Sequence, residues 1–209
     1  MPDPTPESPV LRIFTAPPAR PDDRDTAHRL LRYAWSTLHP GSALPAICTG
    51  PDGKPDFAAG GHFSLSHTAT LAAAALYSRP VGVDAETLRP VHPRLFRRVL
   101  AGPEQTWLAA ADSQTASFLQ LWTLKEAYLK YTGTGLQGLP RGLCFCPAAD
   151  GAAALAGHPE ITAGSLFCSG CVLSWCTDAA PAPAVCLTAL PAVPQGGNPL
   201  CSLNSWNIF

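Results

Sequence analysis

The chain has 209 residues, 46% hydrophobic and 14% charged, and its 14 Lys and Arg against 15 Asp and Glu leave a formal net charge of −1. That length suits one domain or two small ones sharing a core, and the composition excludes charge-driven disorder. It also excludes a nucleic-acid binder, which needs a dense basic surface.

In chain order, residues 1–21 hold seven prolines and predict an extended arm with one strand at 10–15. Ala27, Leu30, Leu31, Ala34, Trp35 and Leu38 then recur with a 3.6-residue period, which predicts an amphipathic helix over 25–38. Asp22 or Asp25 is its candidate cap, and Pro40-Gly41 is its stop. Residues 39–61 are turn-rich, with Pro-Asp-Gly-Lys-Pro at 51–55. Residues 62–66 alternate as a short strand. The run Leu-Ala-Ala-Ala-Ala-Leu-Tyr at 71–77 is too short for periodicity to type as helix or strand. Pro-Val-Gly-Val-Asp-Ala-Glu at 80–86 reads as a strand.

Pro90 and Pro93 mark a break. Beyond it, helices are predicted at 95–100, at about 103–112 with Pro103 in the first turn, and at 113–131 with Gly133 and Gly135 as the stop. Strands at 142–146, 165–176 and 184–190 follow. Helices interleaved with short antiparallel strands predict the α+β class.

No run approaches the roughly 18 apolar residues of a membrane span, and no basic segment precedes an apolar run at the start. A cytoplasmic protein without membrane contact is expected. Residues 142–209 hold no Lys or Arg but seven of the eight cysteines. Cys168 and Cys171 form a CxxC and Cys144 and Cys146 a CxC, a set open to zinc or redox chemistry. The apolar residues around the CxxC favour thiols packed as small hydrophobes.

All 14 basic residues lie in 1–141 beside 12 acidic ones, a balance of +2 that is too small to predict strong steering of an acidic partner. Within this stretch, Asp84 and Glu86 share one face of their strand while Val83 and Ala85 share the other. Two neighbouring carboxylates repel unless a cation or proton joins them, and magnesium prefers such oxygen ligands. The alternative is a pair of surface charges at a strand exit. Glu126 and Lys130 are four apart on a helix in the favourable order, a pairing also common on solvated helices. Ser66 and His67 leave a strand at a turn, where hydroxyl, imidazole and backbone N–H groups can meet a phosphate.

Together, Lys-Pro-Asp-Phe at 54–57, Phe-Ser-Leu-Ser-His-Thr at 63–68, Val-Gly-Val-Asp-Ala-Glu at 81–86 and Trp-Thr-Leu-Lys-Glu-Ala-Tyr-Leu-Lys-Tyr-Thr-Gly-Thr-Gly-Leu at 122–136 resemble the 4'-phosphopantetheinyl transferase superfamily. The resemblance is to its pseudo-dimeric, surfactin-synthetase-activating branch, and it extends from about residue 10 to 190. It implies two similar halves, 1–88 and 89–209, each a long helix on a small antiparallel sheet, related by a pseudo-twofold axis. It also makes residues 71–77 a buried strand and the protein a monomer.

The activity implied is of the holo-[acyl-carrier-protein] synthase type. The 4'-phosphopantetheine arm of coenzyme A moves to a serine of an apo acyl or peptidyl carrier protein, and adenosine 3',5'-bisphosphate is released. By position in the motifs, Asp84, Glu86 and Glu126 resemble the Mg2+ ligands, and Lys130 the phosphate-contacting lysine. Ser66 and His67 resemble the pair that holds coenzyme A phosphates, and Arg29 and Lys54 its nucleotide contacts. Glu126 is the favoured base, and Glu104 the supporting acid or base.

Overall fold

A computed structural model describes residues 10–20, 25–51, 53–135, 140–178, 182–193 and 204–208, the last as backbone only. The first nine residues of the proline arm, Asp22 and Cys201 lie outside them. The order is β1 (Val10–Ala16), α1 (Asp25–Leu38), β2 (Ile47–Thr49), β3 (Pro55–Phe57), β4 (His62–His67), β5 (Ala72–Tyr77) and β6 (Val81–Thr87). Then come α2 (Arg94–Val99), α3 (Gly102–Ala109), α4 (Gln114–Thr132), β7 (Phe145–Pro147), β8 (Ala152–Leu155), β9 (Thr162–Cys168), β10 (Cys171–Thr177), β11 (Ala184–Ala189) and β12 (Asn204–Ile208).

Two five-stranded sheets, ordered β12-β11-β1-β5-β4 and β6-β10-β9-β8-β7, pack face to face, and β2 and β3 form a separate ribbon. Leu11, Ile13, Val83, Leu173 and Leu187 are among the apolar side chains between the sheets. Helix α1 covers the outer face of the first sheet with Ala27, Leu30, Leu31 and Ala34. Leu121 and Leu124 of α4, with Val99 and Leu108, cover the outer face of the second. The class is mixed α+β, as expected. One strand pair departs from the antiparallel expectation, because β1 and β11 run parallel.

The alanine run shows why periodicity could not type it. All six residues of β5 are buried, Ala73 and Ala75 between the sheets and Ala72 and Ala74 beneath α1. A strand covered on both faces loses its alternation, and tertiary burial overrides alanine's helix preference.

Residues 165–176, read as one strand, are instead a hairpin. Cys168 and Cys171 are register partners across a turn made by Ser169 (φ 49°) and Gly170 (φ 70°). Positive φ at both central residues is the tight hairpin geometry whose twist matches its strands. The apolar run masked the turn. Strand β8 was also missed, since Ala152–Leu155 carries one large apolar residue.

Strands cross the expected boundary at 88/89. β6 pairs with β10 throughout its length, and β11 pairs with β1. Strand pairing therefore ties the segments on either side of that boundary into shared sheets.

Gly82 sets the distance between β6 and α4. A Cβ at that position would lie 1.9 Å from the Ala127 carbonyl oxygen and 2.5 Å from the Tyr131 backbone nitrogen. Neither backbone atom can turn aside. Gly82→Ala is expected to lower stability by at least roughly 1–3 kcal/mol, the cost of overpacking a filled core. Urea unfolding would measure it, and an unchanged midpoint would show that the helix does not rest on this strand.

Candidate active site

The site forms where β6, the buried edge strand of the second sheet, meets β4 and the C-terminal half of α4. Alternation along β6 turns Val83 and Ala85 into the core between the sheets. Asp84 and Glu86 take the other face, with Gly82 against α4. β4 does not extend the second sheet. Its Ser64 Oγ accepts from the Val83 N–H at 3.0 Å and its Ser66 Oγ from the Ala85 N–H at 3.1 Å. Two hydroxyls thus satisfy the margin of β6 in place of a strand.

The second motif enters from α4, which Ser113 caps by accepting from the Ala116 N–H and Gly133 closes at φ 79°. Lys130 Nζ donates to Asp84 Oδ1 at 2.7 Å and to the Leu65 carbonyl at 3.2 Å. Ser66 Oγ donates to the same Asp84 oxygen at 3.0 Å. Asp84, only 7% exposed, is therefore a charge held by one cation and one hydroxyl.

Glu126 stands one helical turn before Lys130, and its Oε1 is buried without a hydrogen-bond partner among the described residues. Burial first, then the Asp84 charge, pushes its carboxyl up to about 7, with Lys130 opposing and Glu86 adding to the rise. Burial and Asp84 likewise raise Glu86, while Arg89, whose Nη2 lies 3.7 Å from Glu86 Oε2, works against them.

Of these carboxylates, Glu126 lines a pocket of about 360 Å³, together with Lys54, Pro55, Ser64, Leu129 and Lys130. Lys54 Nζ donates to the Val81 and Tyr131 carbonyls, at 3.2 and 3.0 Å, and so ties the start of β6 to the end of α4. Burial lowers its pKa, partly offset by Asp56.

Of the candidates, Lys54, Glu126 and Lys130 line this pocket, and Asp84, bonded to Lys130 and Ser66, stands beside it with Glu86. The structure does not bring the other candidates to this pocket. His67 is exposed at the end of β4. Arg29 lies on α1, where its Nη2 donates to Thr26 Oγ1 at 2.8 Å. Glu104 is 1% exposed, its Oε2 lying 2.6 Å from Lys125 Nζ and accepting from the Ala101 N–H, its Oε1 accepting from the Phe145 N–H.

Lys125 itself is wholly buried and donates to the Val99 and Leu143 carbonyls at 3.1 and 2.8 Å. Adjacent residues of one helix thus serve opposite ends, Lys125 the packing and Glu126 the pocket. Ser64 was missed by sequence reasoning, although its i,i+2 spacing to Ser66 on a strand places both on one face.

The donor chemistry fits a divalent cation. Glu126 Oε1 lacks a partner, and the charges of Asp84 and Glu86 oppose its ionisation. Among the described residues, however, no three His, Cys, Asp or Glu side chains are gathered closely enough to hold a metal ion, and the Lys130 ammonium neutralises Asp84 instead.

The sequence model of the 4'-phosphopantetheinyl transferase superfamily matches residues 80–175, a span containing both acidic motifs. A 4'-phosphopantetheinyl transferase, gsp, of Aneurinibacillus migulanus is 35% identical over 86 residues, 40% of this chain and 36% of that protein. The 4'-phosphopantetheinyl transferase Sfp of Bacillus subtilis (strain 168) is 35% identical over 77 residues, 36% of this chain and 34% of its own length. The 4'-phosphopantetheinyl transferase AcpT of Salmonella typhimurium is 36% identical over 99 residues, 44% of this chain and 52% of that protein. The matches span about a third of the first two relatives and about half of the third. Over that span, the resemblance carried by the motifs is borne out.

Proposed function

We propose that this chain is a 4'-phosphopantetheinyl transferase of the holo-[acyl-carrier-protein] synthase type, moving the arm of coenzyme A onto a carrier-protein serine. The observation that carries the reading is Glu126, a pocket-lining carboxylate with an unpartnered oxygen and a pKa near neutrality, facing Asp84 and Lys130. A general base works best when its pKa lies near the working pH; the value of about 7 belongs to the metal-free site, and a divalent cation bound there would lower it.

In this reading Glu126 takes the proton from the acceptor serine as its oxygen forms a bond to the β-phosphorus. The bond from that phosphorus to the bridging oxygen breaks, and adenosine 3',5'-bisphosphate leaves with the electron pair. Lys130 is released from Asp84 to the phosphate oxygens, where its charge stabilises what accumulates there. Lys54, Ser66, His67 and Arg29 hold the nucleotide and phosphates, the last three from outside the pocket lining. Asp84, Glu86 and Glu126 would hold Mg2+ only once drawn closer together and with Lys130 off Asp84, and the ion when bound would supply charge neutralisation and alignment of the pyrophosphate. Glu104 belongs to this reading as a positioning residue, since it anchors Lys125 beside Glu126. Two similar halves, 1–88 and 89–209, related by a pseudo-twofold axis in a cytoplasmic monomer, complete the proposal.

Coenzyme A consumption with and without apo-carrier tests the reaction class. Consumption that requires the carrier is expected. Cleavage at the same rate without any carrier would make the chain a hydrolase of pyrophosphates instead.

A further inference from the structure

Three residues of the second sheet form one polar row. Ser174 on β10 is the register partner of Ser165 on β9 and of Asp84 on β6, so the three side chains stand side by side across the strands on one face. Each is bonded to α4. Gln120 Nε2 donates to Ser165 Oγ at 2.6 Å, Thr123 Oγ1 and Ser174 Oγ lie 2.7 Å apart, and Lys130 Nζ donates to Asp84 Oδ1 at 2.7 Å. In sequence Thr123 follows Gln120 by three residues and Lys130 follows Thr123 by seven, spacings that keep all three on one side of a helix. The surrounding contact is apolar: Val172 and Cys176, which flank Ser174 on its face of β10, share a core cluster with Leu121, Leu124 and Ala127 of α4.

Thr123 and Ser174 are both wholly buried. Thr123 Oγ1 donates within its own helix, to the Leu119 and Gln120 carbonyls at 3.0 and 3.1 Å, which leaves Ser174 as the donor between the two hydroxyls. Apolar packing is non-directional, whereas a buried hydroxyl is costly unless its bond is made. The row therefore accepts one slide and one rotation of α4 and penalises the others. Glu126 depends on that choice. It lies between Thr123 and Lys130 on the helix, and its Oε1 has no partner among the described residues to fix it, so the helix sets its place.

We infer that Thr123 and Ser174, with Gln120 and Ser165, are positioning residues that hold α4 at the slide and rotation presenting Glu126 to the pocket. This rests on the transferase reading and adds residues to it that touch no substrate. In that reading Lys130 leaves Asp84 for the phosphates, so the two neutral pairs are what remains of the row while the reaction proceeds.

The test uses the full chain and a carrier protein that the parent modifies, chosen from a panel of apo acyl and peptidyl carriers, with urea midpoints measured beside the kinetics. Thr123→Val leaves the Ser174 hydroxyl buried without its partner and should lower the midpoint. Adding Ser174→Ala removes the stranded group and should restore much of it. In this double variant kcat is nevertheless expected to stay at least about tenfold below the parent's, with KM for coenzyme A changed less than about twofold. Thr123→Ser keeps the hydroxyl and should hold kcat within about threefold of the parent's. A kcat that follows the midpoint across these variants, recovering with it or staying low with it, overturns the positioning role and leaves the transferase reading standing. So does a Thr123→Ser variant as slow as Thr123→Val. A parent that modifies no carrier overturns both.

Discussion

Glu126→Gln is expected to reduce kcat by about 10²–10⁴-fold, the usual contribution of a positioned general base, while coenzyme A binding remains measurable. The amide keeps the side chain's size but removes both the proton acceptor and a negative charge. The same variant should change the pH dependence of stability in metal-free protein. Glu126 has its carboxyl raised from 4.5 to about 7 in the fold, so between those values the native state binds more protons than the unfolded one. Its contribution is most favourable below about 4.5 and is lost as pH rises through about 7. Replacing Glu126 by Gln should remove that fall and make the metal-free protein relatively more stable at pH 8. Near-parental turnover in the variant would remove Glu126 from the mechanism. A stability profile identical to the parent's would show that its burial has been misread.

The second large effect concerns the buried pair on the far side of the same helix. Glu104 and Lys125 are both fully buried, and together they hold Ala101, Phe145, Val99 and Leu143 by their backbones. Removing one partner, as in Lys125→Met or Glu104→Gln, strands the other's charge or donors in the core. Such breaks cost about 3–5 kcal/mol, whereas replacing the pair by apolar groups of similar volume is often close to neutral. Each single variant is therefore expected to be strongly destabilised in urea unfolding, and Glu104→Leu/Lys125→Met to recover only the part due to the stranded charge, because four backbone groups still lose their partners. Single variants within about 1 kcal/mol of the parent would contradict a structural role and return Glu104 to the list of candidate proton carriers.

Much of this site was legible because its chemistry follows strand and helix periods. Asp84 and Glu86 had to share a face, and Glu126 had to precede Lys130 by one turn. The 3.6-residue period likewise gave α1 its observed extent. What could not be read was where each helix face would be buried. Lys125 differs from Glu126 by one position, and only the arrangement of α3 and β7 around α4 decides that the lysine is enclosed. Gly82 was visible as a glycine, but not as the point where α4's backbone comes within van der Waals distance. The hairpin at Ser169-Gly170 was hidden by its flanking apolar residues, and the alanine strand by burial on both faces.

The most direct measurement of the central claim is intact-protein mass spectrometry of apo-carriers after incubation with this chain, coenzyme A and magnesium, with fragmentation to locate any adduct. A gain of one phosphopantetheine group on a single carrier serine, matched by release of adenosine 3',5'-bisphosphate and abolished in Glu126→Gln, is the predicted result. No gain on any acyl or peptidyl carrier, with the chain folded and coenzyme A intact, would contradict it.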